Sequence, residues 1–303
     1  IGSDISDSYA GMMDGSAVEN MEYVAMDITD CNSVDRIITD ICPDVVVHCA
    51  AWTAVDIAED EDKQELVYKV NVDGTANIAK ACKAIDCKMI YLSTDYVFDG
   101  EGESFFEVDD PTGPKNYYGE TKLLGEKAIQ AETDKAFIVR TSWVFGERGN
   151  TFVKTMKRLG EQHSVLKVVK DETGSPTYTK DLSKLLADMI VTDKYGVYHA
   201  TNEGICNRCE FVEEILKRFG LSCEIIPVTH AEFPTPAVRP HNSRLSKDSL
   251  EKAGFTRLPD WKDALNRYLK EIEFYSERSE KKERRNFKLQ IVLKHRYRKQ
   301  KER

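Results

Sequence analysis

Short apolar runs recur through the first half of the chain. Asp44–Cys49 (DVVVHC), Lys88–Ser93 (KMIYLS) and Ala136–Arg140 (AFIVR) are rich in β-branched residues and do not alternate strictly. That is the pattern of strands covered on both faces of a parallel sheet. Glu22–Met26 predicts a fourth strand. Between these runs, apolar residues at helical spacing predict helices over Asn32–Ile41, with Asp30 as its candidate cap, over Lys63–Ile85 and over Tyr117–Gln130. Strands and helices alternating at this spacing predict βαβ units, so residues 1–145 are expected to form an α/β, Rossmann-like doubly wound sheet that binds a dinucleotide.

From about Gly146 the regularity loosens. Gly174-Ser175-Pro176-Thr177, Phe233-Pro234-Thr235-Pro236 and Arg239-Pro240 interrupt it. Residues 146–273 are read as a smaller α+β substrate domain with helices Asp181–Val191, Cys209–Phe219 and Trp261–Ile272. Tyr195–Ala200 predicts a strand that returns to the first sheet. Residues 274–303 are expected to be a disordered basic extension.

Composition narrows the class. With 41% hydrophobic and 31% charged residues, a chain of 303 can bury a core, which excludes wholesale disorder. No run of about 18 apolar residues predicts a membrane span, and the start has no signal-peptide pattern, so a cytoplasmic, membrane-free protein is expected. The net charge of −9 hides an asymmetry: residues 274–303 hold 12 basic and 4 acidic side chains, and the rest 31 and 48. An acidic body argues against nucleic acid as a partner. Eight scattered cysteines fit a reducing compartment with free thiols. Cys49 reads as a small core residue, and Cys206–Cys209 is one CxxC without a second pair, weak evidence for a metal.

In doubly wound sheets ligands bind beyond the carboxyl ends of the strands. Thr94 ends the second apolar run, and Tyr118-Gly119-Glu120-Thr121-Lys122 opens a helix after Pro111 and Pro114. On a helix, positions i and i+4 share a face, so the lysine ammonium can lower the phenol pKa towards the working range of a proton donor. The YxxxK motif alone is weak, since Tyr297–Lys301 also matches it. A threonine at a strand end is usually a turn or cap residue. The three residues in this order on this pattern are more specific.

These residues sit among longer strings: HCAAWTAVD at 48–56, STDYVFDG at 93–100, YGETK at 118–122, VRTSWVFG at 139–146 and GSPTY at 174–178. With Asp27–Asp30, Val70-Asn71, Asn150–Met156 and Arg239-Pro240, they resemble an extended short-chain dehydrogenase/reductase, and more narrowly the dTDP-4-dehydrorhamnose reductase branch. The resemblance covers about Asp4 to Ile272. It implies reduction of a sugar-nucleotide 4-keto group by NADPH or NADH. Tyr118 would donate the proton, Lys122 would hold the nicotinamide ribose, and Thr94 would bind the reacting oxygen with Asp95 beside it. Asp27 and Ile28 would flank the adenine, Ala51, Trp52 and Thr53 would line the cofactor path, and Trp143 would pack against the deoxysugar. Asn71 would support the active-site hydrogen bonds or simply start a helix. A homodimer, and magnesium in some members, are also implied.

One family feature has no match. No GxxGxxG turn occurs, and Gly11 and Gly15 do not fit one. Ile1–Asp4 resembles the end of the family's second strand, which implies that the first strand, phosphate turn, first helix and most of the second strand are absent here, leaves an inactive truncated reductase as an alternative, and makes Asp4 either a ribose contact or a turn residue. A non-catalytic binding subunit on the same fold, like the regulatory subunit of methionine adenosyltransferase, is a competing reading. A sugar-nucleotide epimerase or dehydratase ranks lower, because Thr94-Asp95-Tyr96 offers one carboxylate.

Overall fold

The computed structural model describes residues 1–7 and 22–272; the basic extension at 274–303 lies outside the described residues. The first half runs β1 (Gly2–Asp4), β2 (Tyr23–Ala25), α1 (Cys31–Ile41), β3 (Val45–His48), α2 (Glu61–Tyr68), α3 (Gly74–Ala84), β4 (Lys88–Thr94), α4 (Tyr117–Glu132) and β5 (Ala136–Thr141). The second half runs β6 (Val144–Phe145), α5 (Phe152–Gln162), β7 (Val165–Val169), β8 (Thr173–Gly174), β9 (Thr177–Tyr178), α6 (Thr179–Ile190), β10 (Gly196–His199), β11 (Asn202–Glu203) and β12 (Cys206–Asn207). It ends with α7 (Arg208–Arg218), β13 (Glu224–Val228), β14 (Asn242–Ser243), α8 (Asp248–Lys252), β15 (Leu258–Asp260) and a helix, α9, over 261–272.

A parallel four-stranded sheet in the order β10-β5-β4-β3 forms the centre. The strand expected at 195–200 is β10, in register with β5 from Gly196 opposite Phe137 to His199 opposite Arg140. The continuous apolar runs have their physical reason here. Met89 and Tyr91 of β4 and Ile138 of β5 face a core with Val34, Ile78 and Ile129. Ile90 of β4 and Phe137 and Val139 of β5 face the opposite core, with Leu182, Leu186 and Met189 of α6. Each such side chain contributes about 1.5–3 kcal/mol on full burial, so the two-sided cover fixes the sheet between its helices. A third, aromatic core gathers Phe145, Tyr178, Phe211, Trp261 and Tyr268.

Two sequence expectations are corrected. Lys63–Ile85 is not one α-helix: α2 and α3 are joined by a π-helical stretch, Lys69–Asp73. Such wide turns are uncommon, and they frequently mark functional sites. The following Gly74 is needed where it stands, since a Cβ there would come within 2.7 Å of the Ile28 side chain. Cys49 is exposed rather than a core residue. It lies one residue beyond β3, an edge strand of the four-stranded sheet, while β1 and β2 pair in parallel as a separate sheet. Among the described residues no helix is long and apolar enough to cross a membrane.

Candidate active site

β4 ends on Thr94, and the chain turns at once into a 3-10 turn over Asp95–Val97. The Thr94 hydroxyl caps that turn by accepting from the Tyr96 backbone N–H (3.2 Å) and donates to Asp95 Oδ1 (3.0 Å). The second Asp95 oxygen accepts from Ser243 Oγ at 2.5 Å. Burial pushes the Asp95 carboxyl up to about 6, against the opposing pull of these two hydroxyls and of the Arg208 charge.

Tyr118 arrives on the first turn of α4. Asn116 caps this helix by accepting from the Gly119 N–H at 2.8 Å. Gly119 lets α4 approach, because a Cβ there would come within 2.2 Å of the Tyr96 carbonyl oxygen. The phenol faces the Thr94 hydroxyl, which opposes the rise of its pKa, and meets the Tyr96 ring edge-on at 5.7 Å. Thr94, Asp95 and Tyr118 are therefore brought together.

Lys122 lies one turn further and is almost fully buried. Its ammonium rests on the Tyr91 ring, 3.9 Å from the centroid. Burial pulls it down to about 7, and the Glu126 carboxylate, one turn on, resists that fall. The sequence expectation that Lys122 lowers the Tyr118 phenol is corrected for this state. Burial instead raises the phenol well above its ordinary value, with Asp95 and Tyr96 adding to the rise and Thr94 opposing it. A half-buried phenol beside a buried carboxyl keeps its proton at neutral pH.

The π-helical stretch explains Asn71, which turns inward and is buried. Its carboxamide accepts from the Trp52 N–H (2.8 Å) and donates to the Trp52 carbonyl (3.3 Å) and to Thr121 Oγ1 (3.0 Å). One side chain thus ties the loop after β3 to α4. In that loop Ala51 and Trp52 are half-buried and Thr53 is exposed. Asp27 and Ile28 follow β2: Asp27 accepts from the Thr29 N–H and hydroxyl (2.9 and 2.8 Å), and the Ile28 carbonyl accepts from Asn77 (2.9 Å). Asp4 accepts from the Ser6 N–H at 3.2 Å, the turn role.

Trp143 follows β5 with a positive φ of 48°. The Arg208 guanidinium lies over its ring at 3.6 Å, and Phe211 stacks at 6.3 Å. Glu172 holds Arg208 through Oε2 at 2.7 Å.

Sequence reasoning missed several partners. Glu126 was legible, being four residues from Lys122 on the same helix. Arg140, which binds Glu126, and Ser93, which donates to it at 2.5 Å, come from neighbouring strands. Ser243 and Arg208 come from beyond residue 200 and carry no local signal. Arg239 belongs to a string noted above, but its partners, Asp56 Oδ2 at 2.6 Å and the Tyr96 hydroxyl at 3.4 Å, appear only in the fold. Among the described residues, one group with metal-ligand spacing occurs, Asp171, His230 and His241. Two imidazoles do not suit magnesium, which prefers oxygen, so this group is not a site for the magnesium that the resemblance implied.

The family described as "RmlD substrate binding domain" matches residues 1–274. The Bacillus subtilis spore coat polysaccharide biosynthesis protein SpsK is 41% identical over 247 residues, 81% of this chain and 86% of that protein. A dTDP-4-dehydrorhamnose reductase of Mycolicibacterium smegmatis is 43% identical over 243 residues, 79% of this chain and 73% of that one. A dTDP-4-dehydrorhamnose reductase of Bacillus anthracis, solved in complex with NADP, superposes with a TM-score of 0.80 at 37% identity. That likeness covers 85% of this chain and 92% of the other.

Proposed function

Because this chain belongs to the RmlD substrate-binding-domain family, that of dTDP-4-dehydrorhamnose reductase, we propose that it reduces the 4-keto group of dTDP-4-dehydro-L-rhamnose with NADPH or NADH, giving dTDP-L-rhamnose. The observation that carries the reading is that the fold brings Thr94 at the end of β4 and Tyr118 on the first turn of α4 to one place, with buried Lys122 one helical turn further on.

The reduced nicotinamide supplies a hydride when bound. The donor set fits that chemistry: a phenol, a hydroxyl and a buried ammonium lie at the carboxyl end of a parallel sheet, where dinucleotides bind. As the C4 carbon gains hydride, the carbonyl π pair moves onto oxygen, and that oxygen needs a proton. Tyr118 gives it, because its phenol, held above its ordinary pKa, is protonated at neutral pH. Thr94, within reach of the same phenol, donates a hydrogen bond to the developing oxyanion. Lys122, held at about 7, is poised to gain or lose a proton and to place its ammonium on a ribose hydroxyl. Asp95, oriented by Ser243, accepts from a sugar hydroxyl. Asn71 fixes the Ala51–Thr53 loop along the cofactor path, Asp27 and Ile28 flank the adenine, and Trp143 with Arg208 on its face forms the wall for the deoxysugar. Residues 146–273 serve as the substrate domain, and the protein acts in the cytoplasm as a homodimer.

The experiment is NADPH and NADH oxidation by the purified chain with dTDP-4-dehydrorhamnose. Turnover that needs both reactants is expected. Cofactor binding without turnover in a folded protein overturns the reading and leaves the non-catalytic subunit.

A further inference from the structure

Beside Glu172, which holds Arg208 over the Trp143 ring, three backbone segments converge. β7 and β13 pair in parallel, and where they end Asp171 and His230 stand side by side. β14 pairs in parallel with β8, which places His241, the residue before β14, against the same point. The Thr173 N–H donates to the His241 carbonyl at 2.8 Å and fixes that approach. A ligand atom from each of Asp171, His230 and His241 lies within 4.8 Å of the others.

The hydrogen bonding of this group is incomplete in an informative way. His230 lies between two carboxylates: its Nδ1 is 3.2 Å from Asp171 Oδ1, and its Nε2 is 3.3 Å from Glu172 Oε1. A neutral imidazole has one N–H. Whichever nitrogen carries it, the other presents a lone pair to a carboxylate oxygen, and the buried Nε2 has no hydrogen-bond partner. Glu172 is already neutralised by Arg208. Asp171 is met by the His230 backbone N–H and the two imidazoles, and no lysine or arginine among the described residues pairs with it. His241 Nδ1 lies 2.8 Å from the Asp171 carbonyl, which can only accept, so Nδ1 donates, and in the neutral imidazole the other ring nitrogen keeps its lone pair. An imidazole that donates one N–H to a backbone carbonyl and keeps the other nitrogen free is the usual preparation of a metal-binding histidine.

We propose that Asp171, His230 and His241 bind a divalent cation of the zinc class. Two imidazoles and one carboxylate are a donor set for such an ion, with a position left for water or a further ligand. The cation relieves the opposed lone pairs at His230 and ties together segments now joined by hydrogen bonds and the His230–His241 ring contact. Through Glu172, which faces His230 and grips Arg208, it also stiffens the wall over Trp143. The cluster shares no residue with the Thr94–Tyr118–Lys122 group, and the proposal does not depend on the reductase reading.

The test uses the full chain, stripped with a chelator, titrated with Zn2+ in competition with a chromophoric indicator, and in parallel with Co2+. One equivalent is expected to bind, with a cobalt spectrum free of the sulfur-to-cobalt charge-transfer band that cysteine ligation gives. His241→Ala, at an exposed position, and His230→Gln should each weaken Zn2+ binding by roughly tenfold or more with unchanged circular dichroism. No binding, a thiolate band, or equal affinity in both variants overturns the proposal.

Discussion

The Glu126 carboxylate takes two prongs of the Arg140 guanidinium, Nε at 3.0 Å and Nη2 at 2.8 Å, in the buried contact between α4 and β5. Both side chains are almost wholly inaccessible. Removing one partner of such a pair leaves an unpaired charge in a dry place. Glu126→Gln is therefore expected to lose about 3 kcal/mol or more of stability, measured by urea denaturation. It also removes the charge that resists the fall of Lys122. The alkaline limb of the activity profile should move to lower pH in this variant. An unmoved limb would show that Glu126 acts on stability alone.

Lys122 makes stability depend on pH with a definite sign. Its ordinary value is 10.5, and burial holds it at about 7. Between those values the unfolded chain carries a proton that the folded chain does not, so stability rises with pH across that window. Below about pH 7 the folded state bears the whole cost of the buried ammonium. Lys122→Met should thus be more stable than the parent by a few kcal/mol, an order-of-magnitude figure, at and below neutrality. The advantage should shrink towards pH 10.5, while reduction is lost. Denaturation curves across this range check it, and a variant less stable at neutral pH contradicts it.

Tyr118→Phe removes one oxygen and leaves the ring against Tyr96. If the phenol is the proton donor, kcat should fall by roughly 10²–10⁴-fold. The NADPH dissociation constant should hardly change. Thr94→Val should lower kcat less, and it also uncaps the turn at Asp95. Steady-state rates and a fluorescence titration of NADPH separate these outcomes, and near-normal turnover in Tyr118→Phe removes the acid assignment.

Asn71→Ala cuts three hydrogen bonds, two of them to the Trp52 backbone. Buried groups left unpaired cost about 1–3 kcal/mol each. The expected result is a lower melting temperature together with a raised KM for the nucleotide, since the Ala51–Thr53 loop loses its tie to α4. A variant that loses stability with an unchanged KM would make Asn71 purely structural.

Much of this arrangement was legible along the chain. The runs at β3, β4 and β5 read as parallel strands because both of their faces are covered, and YxxxK read as one helical face because its spacing is local. The π-helical stretch at Lys69–Asp73 was not legible, since one extra residue per turn barely disturbs a 23-residue apolar pattern. Cys49 misled because an edge strand carries the same residue types as a central one. The direction of the Lys122 side chain was hidden because its partner, the Tyr91 face, lies on β4 and not on its own helix. Ser243 reaches Asp95 across 148 residues of sequence, a contact that only the return of the second half to the first can make.

The most direct test of the central claim is isotope transfer. NADPH carrying deuterium at the transferred position of nicotinamide C4 is mixed with the purified chain and dTDP-4-dehydrorhamnose, and the sugar nucleotide is analysed by proton NMR. The account predicts deuterium on C4 of dTDP-rhamnose in the parent and almost none in Tyr118→Phe over the same time. Cofactor oxidation without label on C4, or equal labelling in the two proteins, contradicts it.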